Sequence, residues 1–335
     1  MFDINDLIEA CYSNNYIQII KVLKDLEKYE YVSELLIDCF LGSVQFLHED
    51  ILIRILEYEY RLAFEYFHHY DTYLLLYTLE TGLNKLSNKI MDIMVKYDSP
   101  DFFQKHKLNF GIERYNNILN HCNSNQDNVL FVACYAHNKT IIPRILGLKH
   151  FGTIDFSHIN KLKHNVLNVA INSNLQKTAF EIFHKMEEKD INHVTESGNN
   201  IFLDCVMNCQ FDFVDYLLHY TKKEIKYDAV NFLNGKTALH YLCRIPNENY
   251  ALTLIQKCPK LIFEFDLEYN YPLTFACLHH HTKIIEKILS IIDNHSDRDF
   301  MMKTTNSQLK NICDYQHIPL IQDFCKKHYS IKFRI

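Results

Sequence analysis

Six apolar residues, Leu130, Leu167, Phe202, Leu239, Leu273 and Leu309, recur at spacings of 37, 35, 37, 34 and 36 through residues 123–335. Each is followed in register by a small or apolar pair and then by branched apolar residues. Examples are Ala133-Cys134 before Ile141-Ile142 and Ile145-Leu146, and Ala276-Cys277 before Ile284-Ile285 and Ile288-Leu289. A unit of this size cannot bury its apolar face alone, so a repeat of this length implies units stacked on one another. Only 7 glycines and 6 prolines are present, few for the tight turns that sandwiches and barrels use in quantity. The expected class is all-α. An apolar fraction of 48% against 23% charged residues excludes a chain without a packed core.

The unit Gly235-Lys236-Thr237-Ala238-Leu239-His240, closed by Leu254-Ile255, resembles the ankyrin repeat, whose signature runs Gly-x-Thr-Pro-Leu-His-x-Ala-Ala and later Ile-Val-x-x-Leu-Leu. Pro272-Leu273 keeps the Pro-Leu step, and Asp190-Ile191-Asn192 before Gly198 is similar to the family's Asp-Val/Ile-Asn hairpin segment. The turn glycine is replaced by Gln126, Lys163, Tyr269 and Thr305 in four units, and the spacings exceed the family's length of about 33 residues, so irregular, longer hairpins are expected. The resemblance implies an ankyrin solenoid of about six repeats over residues 123–335, each a pair of stacked antiparallel helices with a protruding hairpin loop, the last a capping repeat. It also implies that His240 hydrogen-bonds the backbone of a neighbouring loop.

Residues 1–122 lack the signature but keep helical periodicity. Asp6 to Cys11 followed by Ile19 to Leu23 looks like a degenerate helix pair, and Tyr31 to Leu41, Glu49 to Phe67, Thr72 to Leu79 and Lys85 to Tyr97 continue the pattern. Either further degenerate repeats or a separate helical cap fits, with the polar run His121 to Gln126 as the boundary. Leu47-His48-Glu49-Asp50-Ile51-Leu52-Ile53-Arg54-Ile55-Leu56 resembles the opening of an F-box, which would make residues 47–56 a ubiquitin-ligase adaptor site. An amphipathic helix packed on its neighbours explains the same spacing, and burial of Ile51, Leu52, Ile55 and Leu56 is the expectation.

No nucleophile elbow, phosphate loop, HExxH, dinucleotide or EF-hand pattern occurs, so no catalytic residue, cofactor or metal is expected. His279-His280-His281 beside Cys277 suggests a zinc site, but the register makes Cys134, Cys243, Cys277 and Cys313 small core residues and puts His280 in the turn between helices. Cys205 and Cys209 lie four apart, where the register reads a core position and a helix turn rather than a redox couple. The basic, partly aromatic stretch Lys326 to Arg334 reads as a solvated capping helix with a tail.

The net charge of −6 argues against a nucleic-acid binder. Residues 1–122 hold 11 Lys+Arg against 19 Asp+Glu, leaving 24 against 22 beyond. The longest uncharged stretch, Tyr269 to Thr282, is 14 residues and too short to span a bilayer. The opening residues carry no export signal, and 11 cysteines without CxxC spacing read as reduced thiols, so an intracellular, reducing compartment is expected. Abundant Asn, Ile, Lys and Tyr resembles AT-rich genomes and the degenerate ankyrin proteins that intracellular bacteria and large viruses deploy in host cells. The family resemblance then implies a non-enzymatic, monomeric module that binds a protein partner by hairpin tips and the exposed side of the first helices. Carried onto this register, those positions are Asp127 and Tyr135; Lys161, His164 and Asn172; Glu196, Asn199 and Asn208; Asn234, Lys236 and Arg244; Glu268, Asn270 and His279; and Asn306, Asp314 and Tyr315. Tyr135, Arg244 and Tyr315 are the expected energetic anchors, since aromatic residues and Arg dominate interface hot spots.

Overall fold

The structure, a computed structural model, describes residues 9, 13, 17, 18, 21, 49–58, 60–64, 66, 67, 72–102, 118–151 and 153–329. The chain divides into two compact units, Met1–Lys161 and Leu162–Ile335. Both are built from helices, and the one strand pair among the described residues is two residues long on each side.

In the first unit, α1 (Glu49–Tyr58) leads through a 3-10 turn (Tyr60–Phe64) into β1 (Tyr66–Phe67), which pairs antiparallel with β2 (Thr72–Tyr73). Then follow α2 (Leu74–Glu80), α3 (Asn84–Tyr97), α4 (Val129–Tyr135) and α5 (Ile141–Gly147). The helices form two layers, α2 against α4 and α1 against α3 against α5. The stretch Glu49 to Phe67, expected as one helical pattern, is thus helix, 3-10 turn and strand, with aromatic residues that suit a strand at its end. Leu52, Ile55 and Leu56 are buried, with α1 against α3, as the packed-helix reading expects; no apolar side chain of these three is left for an adaptor. Leu47, His48 and the Ile51 side chain, like the segments Asp6 to Cys11, Ile19 to Leu23 and Tyr31 to Leu41, lie outside the described residues apart from isolated positions.

The second unit comprises α6 (Val166–Asn172), α7 (Gln176–Lys185), the single-turn α8 (Glu188–Ile191), α9 (Ile201–Met207), α10 (Phe211–His219), α11 (Ala238–Leu242) and α12 (Glu248–Lys257). A 3-10 turn (Pro259–Phe263), α13 (Pro272–Leu278), α14 (Thr282–Ile292), α15 (Arg298–Lys303), a closing 3-10 turn (Ile312–Tyr315) and α16 (Pro319–His328) complete it. An inner row stacks α6, α9, α11, α13 and the closing 3-10 turn. The outer row pairs α7, α10, α12, α14 and α16 with them. Asp190-Ile191-Asn192 closes the short α8 rather than a hairpin strand.

Left-handed residues punctuate the repeats at two positions. Gln126, Lys163, Gly198, Gly235, Tyr269 and Leu309 have φ between 58° and 85° and stand two residues before the N-caps Asn128, Asn165, Asn200, Thr237, Tyr271 and Asn311. His137, Asn174, Cys209 and His280 turn the first helix into the second. There the next residue's N–H reaches back over the helix end, as from Asn138 to Ala133 O, Leu175 to Ala170 O, Gln210 to Cys205 O and His281 to Ala276 O. This is a Schellman closure, which satisfies carbonyls a helix end leaves open. Gly82 performs it between α2 and α3, with Leu83 N–H donating to Thr78 O, so these helices are joined as the later pairs are. Pro246 occupies the equivalent position after α11, where its fixed φ forbids the left-handed turn, and α11 is only 5 residues long.

Leu130, Leu167, Phe202, Leu239 and Leu273 are fully buried and equivalent. Leu309 is not: it is 83% exposed and is itself the left-handed turn residue, in place of the expected Thr305. The last repeat is therefore four residues longer, and Cys313 follows the helix start where Leu273 does in the repeat before. Cys134, Cys243 and Cys277 keep the predicted core position; Cys313, half-buried, does not share it.

Candidate functional site

The hairpins are held by side chains that return with the repeat. Asn123, Asp266 and Asn306 each use Oδ1 to accept two backbone N–H groups of their own turn, at 2.8 to 3.0 Å. Asn231 accepts one, from Leu233, at 3.0 Å. Such Asx turns fix a loop without a sheet. Adjacent hairpins are then tied by backbone bonds at their tips: Lys161 N–H to Asn125 O in the first unit, and Phe232 N–H to Ser197 O, Leu267 N–H to Asn234 O and Ser307 N–H to Glu268 O in the second. Side-chain amides make a second rung, Asn160 to Asp127 in the first unit and Asn231 to Asn199 and Asn306 to Asn270 in the second, each 2.8 Å. His193 Nε2 donates to Lys163 O at 2.6 Å, and His240 Nε2 to Asn270 O at 3.1 Å, the loop contact the resemblance implied. A carbonyl only accepts, so these imidazole nitrogens carry the proton.

Burial pushes His240 down to about 4, which leaves it a neutral clamp. Asp204, buried on α9, accepts from Asn168 and Asn199 at 2.9 Å, yet burial still raises it to about 6.

Of the positions assigned to partner contact, Asp127, Asn199, Asn270 and Asn306 are buried rungs of these ladders, and Tyr315 is buried in the closing 3-10 turn. Their polar groups or rings hold the scaffold. Tyr135, Lys161, Asn172, Glu196, Asn208, Arg244, Glu268, His279 and Asp314 are exposed, and His164, Asn234 and Lys236 half-buried. Tyr135 and Lys161 belong to the first unit; in the second, Asn172, Arg244 and their neighbours lie along the inner row.

The sequence alone did not single out the exposed apolar side chains of the hairpins. Hairpin tips of the second unit present Leu162, Val194, Phe232, Leu233, Phe265, Leu267, Tyr269 and Leu309, with Phe232 65%, Leu233 80% and Leu267 66% exposed. On the inner helices, Met207 and Leu278 are exposed at positions equivalent to Arg244 in α9 and α13. Between these rows the Arg244 guanidinium and the Lys236 ammonium both lie over the Phe275 ring, 5.9 and 5.1 Å from its centroid. The signal was available: an apolar residue inside a polar turn, bracketed by Asn or Asp and the left-handed residue, has no core to join.

Among the described residues, the close thiol–imidazole contact is not an activated pair. Cys122 Sγ lies 3.3 Å from His158 Nε2, but that nitrogen donates to Gln126 O at 2.6 Å and has no lone pair for the thiol. The thiol donates to Asn120 O, and burial with Asp127 and Asp155 raises it. Burial likewise pushes Cys134 and Cys277 up to about 12 and raises Cys205 and Cys243, the opposite of an activated nucleophile. His280 is the turn residue, His279 is exposed and His281 is buried. No three His, Cys, Asp or Glu converge on a metal position among the described residues. The described part of the basic terminus is pinned: Lys327 and His328 reach Asp293 at 2.7 Å, and the Tyr329 hydroxyl donates to Asp299. Residues 330–334 lie outside the described residues. No helix among the described residues is long and apolar enough to cross a membrane.

No family model matches this sequence, and no curated protein matches it. A solved structure similar to it is the ankyrin repeat domain of Bcl-3, described as a unique member of the IkappaB protein family. The likeness has 16% identity and a TM-score of 0.43, covering 85% of this chain and 97% of that one.

Proposed function

We propose that this protein is a non-enzymatic recognition module, and that its second unit binds a protein partner across the hairpin tips and the inner helices. The observation that carries this is the apolar row at the tips. Exposed apolar side chains gathered on adjacent hairpins are costly in water and mark interaction sites, and the tip-to-tip hydrogen bonds hold these hairpins in one arrangement, so little backbone ordering entropy opposes binding. Tyr241, Arg244 and Phe275 add the residue types that dominate interface energetics.

Affinity capture from lysate, with wild type compared against Leu267→Ser and Arg244→Glu, tests this reading. Proteins retained by wild type and by an outer-helix control, Lys283→Glu, and lost with the two face variants are the expected result. A captured set indifferent to both face variants refutes it. The cysteine usage supports action in a reducing, intracellular compartment, and the Asn-, Ile-, Lys- and Tyr-rich composition supports an effector that meets its partner in a host cell; recovery of a host protein in the same capture tests the latter.

A further inference from the structure

The closing repeat brings two thiols together. Cys313 lies in the closing 3-10 turn and Cys325 in the second half of α16, and these two elements pack on each other. Each is fixed from within. In the turn, Asn311 N–H donates to Asp314 Oδ2 at 2.7 Å; Pro319 starts α16 with its φ preset, and Ile318 N–H closes the link onto Tyr315 O at 2.9 Å. Across the seam the Cys313 thiol donates a hydrogen bond to Cys325 Sγ. Cys325 is fully buried and Cys313 half-buried, so one sulfur of the pair is open to a reagent and the other stands behind it. Around them lie Lys303, Asp314, Tyr329 and, on α13, the buried Cys277.

The shared hydrogen bond holds Cys313 above the ordinary thiol range and Cys325 below it. Cys325 is therefore the sulfur that loses its proton first, and it sits where it can take the Cys313 proton as Cys313 attacks. We infer that Cys313 and Cys325 are a disulfide-forming pair whose closure by a low-molecular-weight disulfide, such as oxidised glutathione, fastens α16 to the closing turn. Cys313 Sγ attacks one sulfur of the reagent, whose S–S bond breaks and releases a first thiol. Cys325 Sγ then attacks Cys313 Sγ and releases a second. The protein's two thiol protons end on the two released thiols, so the protein is oxidised by two electrons and the reagent reduced by two. The consequence is local to the end of the array. A terminal repeat is stacked on one side only, so its last helix opens before the rest, and a bond across this seam opposes that opening.

Lys310 and Lys326 bracket both sulfurs with no Lys or Arg between them, so trypsin releases the pair on one peptide, Asn311–Lys326. The full chain is treated with oxidised glutathione, alkylated with iodoacetamide, digested without reductant and read by mass spectrometry. That peptide should lack two hydrogens and carry no alkyl group, and dithiothreitol before alkylation should restore two alkyl groups. Hydrogen exchange over α16 should slow by roughly tenfold or more on oxidation of wild type, and should not respond to the oxidant in Cys313→Ser or Cys313→Ala. Two alkyl groups on the peptide after the oxidant, glutathione left on Cys313, or a cross-link from Cys325 to the peptide that holds Cys277 overturns the pairing. A closed peptide with unchanged exchange over α16 overturns the fastening of the last helix.

Discussion

Lys163 and Gly198 occupy equivalent left-handed turn positions, φ 58° and 85°, and respond to substitution with opposite signs. A side chain at positive φ costs on the order of 1 kcal/mol, so Lys163→Gly should raise stability by about that amount. A Cβ on Gly198 would lie 2.1 Å from Val230 O and 2.9 Å from the Phe232 ring, so Gly198→Ala should lower stability by more than Lys163→Gly raises it. Urea midpoints of the two variants check both signs. His240 gives a pH test. Its folded value near 4 lies below the ordinary 6.5, so the neutral buried ring contributes stability above about pH 6.5 that is lost as pH falls toward 4, about 3 kcal/mol in all. Asp204, raised from 3.8 to about 6, has the reverse sense: its contribution is present below about pH 3.8 and lost as pH rises through 6. Wild type minus His240→Gln removes that background, and the stability gap should close from pH 6.5 to 4. A gap constant across that range contradicts a buried neutral imidazole.

The helix pair is where sequence and structure agree best, and the last pair shows why agreement stops. Buried positions on short helices must be apolar in every repeat, so Leu130, Leu167, Phe202, Leu239 and Leu273 announce themselves by period alone. Leu309 matched the period, yet the last hairpin is four residues longer and the residue falls in the turn; chemistry at one position cannot report an insertion. Leu239→Ala should therefore cost about 2 to 5 kcal/mol, as emptying a packed leucine site does, while Leu309→Ala should stay within about 0.5 kcal/mol. Equal effects in thermal melts would undo the assigned register. The site was less legible than the core for a related reason. Asn199, Asn270 and Asn306 sit at hairpin positions expected from the sequence to meet a partner, but an amide there either faces out or bonds the next hairpin, and its residue type is the same in both cases. The Asn and Asp residues that begin the turns, Asn123, Asn160, Asn231, Asp266 and Asn306, did recur with the repeat and were readable.

At the scale of the whole molecule, a chain of net charge −6 carries strongly exposed apolar side chains, Leu233 and Leu267 among them, on the hairpins of its second unit. Folding does not require them: a core residue contributes by removing apolar area from water, and Leu233 and Leu267 leave 80% and 66% of theirs outside. Their backbone bonds do the structural work of the tips, since Leu267 donates through its N–H to Asn234 O and Leu233 through its N–H to Asn231 Oδ1, and neither bond depends on the side chain. Leu233→Ser/Leu267→Ser should accordingly leave the melting temperature within about 2 °C of wild type, because exposed substitutions shift stability by no more than about 0.5 kcal/mol each. The same variant should bind less of an environment-sensitive dye such as ANS and scatter less light when concentrated, because it loses exposed apolar surface without losing charge. Differential scanning fluorimetry and static light scattering read the two effects separately. A melting temperature lowered by more than several degrees would make the tips part of the fold's own packing; an unchanged temperature with unchanged dye binding would mean that the apolar row does not form one surface in solution.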